Sequence, residues 1–162
     1  MHPAAAKVQA VLRAQGLLGE VIELAQSART AAQAAAACGV SVGQIVKSLV
    51  FVAGDDPILV LVSGRNQADE RRLEALIGKT IRRADADQVR AATGFAIGGV
   101  PPVGHARALP VYIDRDLMGY DLLVAAAGTP RAVFPLSPEE LSRLTGGRVA
   151  DLKRAADGEA QA

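Results

Sequence analysis

A single cysteine, Cys38, is the chain's whole supply of thiols, so an internal disulfide framework and a zinc site built on thiolates are both excluded. Aromatic residues are nearly as scarce: three Phe, two Tyr and no Trp. Stacking platforms for single-stranded bases therefore have little material, and the core must be aliphatic. A strong excess of either charge is also missing. The formal net charge is +1, against the basic excess of proteins that coat nucleic acid backbone, so any RNA contact is expected to be local. No apolar run is long enough to span a bilayer, and Met1–Lys7 lacks a secretory pattern, so no membrane association and a cytoplasmic location are expected. Neither a Gly-x-Ser-x-Gly nucleophile elbow nor a Gly-x-x-x-x-Gly-Lys-Ser/Thr phosphate loop is present. Two histidines and one cysteine offer no metal cluster, and neither metal nor cofactor is expected.

What remains is half hydrophobic over 162 residues, enough for one domain with a proper core, about 5–154, and a frayed tail from about Ala155. Helical spacing predicts a first helix over 4–15, ended by Gly16, and a short strand follows at Val21–Leu24. Thr30 caps an alanine-rich helix through Cys38, and Gly39 stops it; Cys38 there reads as a buried structural thiol. The strongest β signal is Ile45–Val52, a turn at Gly54–Pro57, then Ile58–Val62: a hairpin. Helices are predicted over Ala68–Ile77 and from an Asp85 cap to Ala92, with a short strand at Thr80–Arg83 between them. Further strands are predicted at Val111–Asp114, Leu122–Ala127 and Ala132–Phe134, and Ser137-Pro138-Glu139-Glu140 opens a last helix to Leu144. The hairpin and the short spacing argue against a purely parallel arrangement. A mixed α/β (α+β) fold is expected, with a curved, barrel-like, mostly antiparallel sheet and helices around it.

Three features bear on chemistry. Gly98-Gly99-Val100-Pro101-Pro102-Val103-Gly104-His105 is a stiff loop, readable as a rigid turn or as a holder whose free N–H groups meet a small polar ligand. Lys47 interrupts an apolar strand and points away from the faces of Val46 and Ser48. Burial of an unpaired ammonium is costly, so it belongs either at the edge of a cleft or on a solvated face. His105 is a general base, a ligand reader or an ordinary loop histidine. Asp114 reads either as a partner of Lys47 or His105 or as a surface turn carboxylate. Arg65, Arg71, Arg72, Arg82, Arg83 and Arg90 form either a basic patch or a solvated surface.

Taken in order, Ile45–Phe51 with Lys47, Val62-Ser63-Gly64 through Asp69, and Gly98–His105 resemble the YbaK/ProX family of free-standing aminoacyl-tRNA deacylases, related to the editing insertion of prolyl-tRNA synthetase. The resemblance spans about residues 5–154. It implies hydrolysis of the ester between a wrong amino acid and the 3′ end of a tRNA, often tRNA-Pro, and leaves prolyl-tRNA synthetase open as a partner. Lys47 matches the family's essential lysine; Gly98 and Pro102 match the ends of its Gly-x-x-x-Pro loop, His105 the histidine after it, and Gly128 a glycine of a later loop. Ala126 stands where relatives often carry serine. The resemblance and the residues together give Lys47 an electrostatic role, main-chain N–H groups of Gly98, Gly99 and Val100 a role in orienting the carbonyl, and His105 a place in the amino-acid pocket. Alanine or another small side chain is the expected cargo, with serine, threonine, cysteine and 2-aminobutyrate alternatives, and water or the ribose 2′-hydroxyl as nucleophile. The other readings are a catalytically silent module that binds tRNA ends, and Schiff-base chemistry at Lys47.

Overall fold

Local sequence sets most element boundaries in the computed structural model, which describes residues 1–155. The expectation of a frayed tail falls mainly on 156–162, outside the described residues. Helix α1 (Pro3–Ala14) has proline in its first turn and a His2 side chain that accepts from Ala4 N–H. Thr30 caps α2 (Ala31–Cys38) by accepting from Gln33 N–H. Asp69, Asp85 and Ser137 do the same for α3 (Glu70–Ile77), α4 (Ala86–Thr93) and α5 (Pro138–Thr145). The α3 boundary lies two residues later than predicted, because the Asp69 side chain takes the Arg71 and Arg72 N–H groups and so fixes the start.

The strands are β1 (Ile22–Glu23), β2 (Ile45–Ala53), β3 (Asp56–Ser63), β4 (Ile81–Arg83), β5 (Val111–Asp114), β6 (Leu123–Ala126), β7 (Ala132–Leu136) and β8 (Arg148–Ala150). They form one sheet of order β1-β7-β6-β2-β3-β5-β8, with β4 added to β2. The β2–β3 hairpin is its centre, with Lys47 opposite Val62 and Ser48 opposite Leu61. Its turn is tighter than expected: Asp56 and Pro57 already belong to β3, opposite Ala53 and Val52. Pairings β1–β7, β2–β3, β2–β4 and β6–β7 are antiparallel; β2–β6, β3–β5 and β5–β8 are parallel. The mixed α/β expectation holds, but the barrel-like closure does not. The end strands β1 and β8 are two and three residues long and each pairs with one neighbour, so the path stays open. Strand β8 and the 3₁₀ turn Arg115–Gly119 were absent from the sequence reading.

Strand alternation sorts the core. Val46, Val50 and Val52 join α1, α4, the Gly-Pro loop and α5 in the largest cluster. Phe51 and Ala53, with Leu49 packed beside them, face α3 and Leu152 on the other side. The small alanines of α2 allow that helix to lie close against Ile45, Val124 and Val133. Cys38, expected to be buried, is half-buried beside this third cluster, and burial pushes its thiol pKa up. No helix among the described residues is long and apolar enough to cross a membrane.

Candidate active site

One edge of β2 is served by two short strands that do not meet. Strand β6 pairs with Ile45 and Val46, and β4 pairs with Phe51, Val52 and Ala53. Residues 47–50 have no strand beside them on that edge. A cavity of about 360 Å³ opens at this interruption, a size suited to a small ligand. Its walls come from the segment leading into α2 (Ala28–Ala31), from Lys47 to Val50, from Arg83 and Ala84, from Ile97, Gly98 and Val100, and from Ala126, Thr129 and Pro130. Lys47 and the Gly-Pro loop thus share one opening.

Lys47 is half-buried, and its Nζ donates to the Asn66 carbonyl. Burial pushes its pKa below the usual lysine value; the Asp114 carboxylate opposes that shift and Arg83 adds to it. Asp114 is not the surface carboxylate that its turn position suggested. It is 1% exposed and accepts from Ser63 N–H at 3.0 Å, Asn66 Nδ2 at 2.9 Å and Asp116 N–H at 3.0 Å. Asn66 Nδ2 also donates to Asp116 at 2.8 Å, and Lys153 pairs with Asp116 at 3.1 Å. The carboxylates therefore bolt down the loop after β3, and that loop's carbonyl receives the Lys47 ammonium. Hydrogen bonds from Asn66 hold the Asp116 carboxyl below the usual range, ahead of the contributions of Lys153 and Arg65.

The loop residues divide into lining and backing. Gly98 and Val100 line the cavity; Gly99, Pro102, His105 and Gly128 do not. Gly99 N–H is committed to the Ala96 carbonyl at 3.2 Å, so of the three loop N–H groups assigned to a ligand carbonyl this one is already used. Its role is close approach. A Cβ at Gly99 would lie 2.7 Å from the Thr129 backbone, and the Gly99 carbonyl accepts from Gly128 N–H at 2.9 Å. Gly128, at φ +100°, sits where a Cβ would press within 2.9 Å of the Ala4 carbonyl. The pair locks the Gly-Pro loop, the β6–β7 turn and α1 together behind the cavity. His105 Nε2 lies 2.7 Å from the Pro101 carbonyl, which requires the proton on Nε2. Burial pushes its pKa down, partly offset by that hydrogen bond. It braces the loop.

Of the six arginines grouped by sequence, Arg83 lines the cavity and stacks 5.3 Å from the Phe51 ring centroid, and Arg65 lies by the separate cleft near Asp116 and Tyr120. Arg72 is paired with Asp69 and Asp151. Arg82 and Arg83 leave opposite faces of β4, so the six do not make one patch. Arg29, Thr129 and Ala28 were missed as lining residues; only the proximity of Thr129 to Gly128 gave any signal. Among the described residues no group of His, Cys, Asp and Glu is placed to hold a metal ion.

A lysine and a glycine–proline loop lining one cavity at an interrupted sheet edge mark a small α/β domain with a candidate ligand site. The chain belongs to the aminoacyl-tRNA editing domain family, whose model matches residues 25–144. A crystal structure of a candidate trans-editing enzyme for prolyl tRNA synthetase superposes with a TM-score of 0.92 at 52% identity, covering 96% of this chain and 99% of that one. YwhH of Bacillus subtilis, itself uncharacterised, is 34% identical over 80% of this chain and 83% of its own length. EbsC of Enterococcus faecalis, a candidate Cys-tRNA(Pro)/Cys-tRNA(Cys) deacylase, is 27% identical over 76% of each chain.

Proposed function

We propose that this protein is an aminoacyl-tRNA deacylase acting in trans, which removes a small, wrongly attached amino acid from the 3′ end of a tRNA, tRNA-Pro first among them. One observation carries the reading: Lys47, Gly98 and Val100 line the same cavity. Family membership and the deacylase and trans-editing names of its relatives support it.

The chemistry follows from what the cavity offers. The terminal adenosine brings the aminoacyl ester in beside Lys47. Water adds to the ester carbonyl carbon, whose oxygen takes on negative charge. The ammonium, favoured by Asp114, and the N–H groups of Gly98 and Val100 stabilise that oxyanion. The carbon–oxygen bond to the ribose then breaks; the ribose oxygen ends with a proton from the water, and the free amino acid leaves. His105 takes no proton in this scheme, since it stands behind the wall. The small walls at Ala28, Ala31 and Ala126 suit a short side chain such as alanine and give a size filter that a synthetase pocket alone achieves poorly.

The test is a deacylation panel: Ala-, Ser-, Thr-, Cys- and 2-aminobutyryl-tRNA-Pro, each with the wild-type chain and Lys47→Ala. Accelerated release of at least one small amino acid, lost in the variant, supports the proposal. Tight binding of charged tRNA with no acceleration would replace it by the silent binding module.

A further inference from the structure

The interruption in β2 also exposes main-chain groups, and these bear on how the tRNA end is read. In an extended strand, successive residues turn their N–H and C=O groups to opposite edges. The Ile45 carbonyl accepts from Gly64 N–H at 2.7 Å, on the β3 side. The Val50 carbonyl accepts from Ala84 N–H at 3.1 Å, on the other side. Odd-numbered residues of β2 therefore serve β3 and even-numbered residues serve the β6/β4 edge. Val46 is taken by β6 and Val52 by β4. Ser48 lies in the gap, and its N–H and C=O face the cavity with no strand to bond. Main-chain groups left open on a strand edge in a cavity wall are free to pair with a ligand that brings a matching acceptor and donor.

The charge around the gap narrows the choice of ligand group. Lys47, Arg29 and Arg83 line the cavity, and no Asp or Glu does. That setting disfavours the α-ammonium of an amino acid at Ser48 and favours an uncharged donor–acceptor edge with a phosphate nearby. The end of a tRNA offers both, because adenine presents an amino donor beside a ring-nitrogen acceptor.

Resting on the reading of this cavity as an aminoacyl-tRNA site, we infer that the open edge of β2 at Ser48 binds the terminal adenine as a further strand would bind. The exocyclic amino group donates to the Ser48 carbonyl. A ring nitrogen accepts from the Ser48 N–H. Arg29 and Arg83 receive the phosphate of that nucleotide, and the ester then lies toward Lys47.

Two amide-linked, unhydrolysable probes test this with the full chain: 3′-alanylamino-3′-deoxyadenosine 5′-phosphate and its inosine counterpart, in which the donor and acceptor are exchanged. Calorimetry is expected to give about tenfold or more tighter binding of the adenine probe, the discrimination a bidentate base contact supplies. Amide exchange at Ser48, followed by NMR, is expected to slow with that probe alone. Ser48→Ala keeps the main chain and is expected to keep the adenine preference. Equal affinity for the two probes, binding of neither, an unprotected Ser48 amide, or loss of the preference in Ser48→Ala would each overturn the inference. Preference for adenine without ester hydrolysis in the deacylation panel would sink the hydrolase and leave the base site standing. Hydrolysis that is indifferent to adenine or inosine at the tRNA terminus would do the reverse.

Discussion

Replacing Lys47 by methionine is expected to separate activity from stability. The substitution keeps most of the stem that packs beside Val62 and removes the ammonium. Loss of one preorganised charge at a developing oxyanion costs about 10²–10³ in rate, roughly 3–4 kcal/mol of transition-state stabilisation. The effect on folding runs the other way. Burial lowers the Lys47 pKa in the folded state, so between that value and the ordinary one near 10.5 the unfolded chain binds the extra proton. Stability of the wild type therefore rises with pH through this window and is lowest below it, where both states carry the charge. Methionine has no such penalty. Lys47→Met is expected to be at least as stable as wild type at pH 7, with the advantage shrinking as the pH approaches 10.5. Single-turnover deacylation and urea melts between pH 7 and 10.5 measure both. A variant that hydrolyses at the wild-type rate, or one that melts earlier at neutral pH, refutes the placement of a strained, working ammonium in the cavity.

Asp114→Asn sets an amide against three N–H donors and is expected to cost about 1–3 kcal/mol, the penalty for a buried donor left without its acceptor. With typical urea sensitivities that lowers the unfolding midpoint by about 0.5–1.5 M, and the Lys47 pKa falls further because its raising influence is gone. Gly99→Ala drives a methyl into the Thr129 backbone, so a loss of about 1–3 kcal/mol in urea unfolding is expected, together with reduced deacylation as the lining residues Gly98 and Val100 shift. His105 has its pKa pushed below the ordinary 6.5, so the unfolded state takes up its proton first as pH falls. Wild-type stability is expected to drop as pH falls from 6.5 through the folded-state value, and His105→Gln is expected to flatten that part of the profile in urea melts between pH 5 and 7.5.

The legible parts of this fold are those governed by local chemistry. The Thr30–Gly39 helix was readable residue for residue, because a side-chain cap and a left-handed glycine each act within one turn. The β2–β3 hairpin followed from two β-branched runs either side of a turn. Strand β8 was not legible, since Arg148-Val149-Ala150 has no pattern of its own and is placed by pairing with β5. Sheet closure failed for the same reason: it depends on which strands meet, and periodicity is silent on that. At the site, Lys47 announced itself as a charge in an apolar strand. Asp114 did not announce its burial, because the donors that justify it come from Ser63 and Asn66, about fifty residues away. Ser48 was unremarkable by type; its main chain matters only because two other strands stop short.

The mouth of the cavity is a by-product of strand length. A chain that continued β6 by two residue pairs and began β4 pairing two pairs earlier would zip the opening shut while leaving Lys47, the arginines and the Gly-Pro loop unchanged in identity. A descendant could thus fall silent through a small slip in where a ribbon ends, and its inventory of side chains would give no warning.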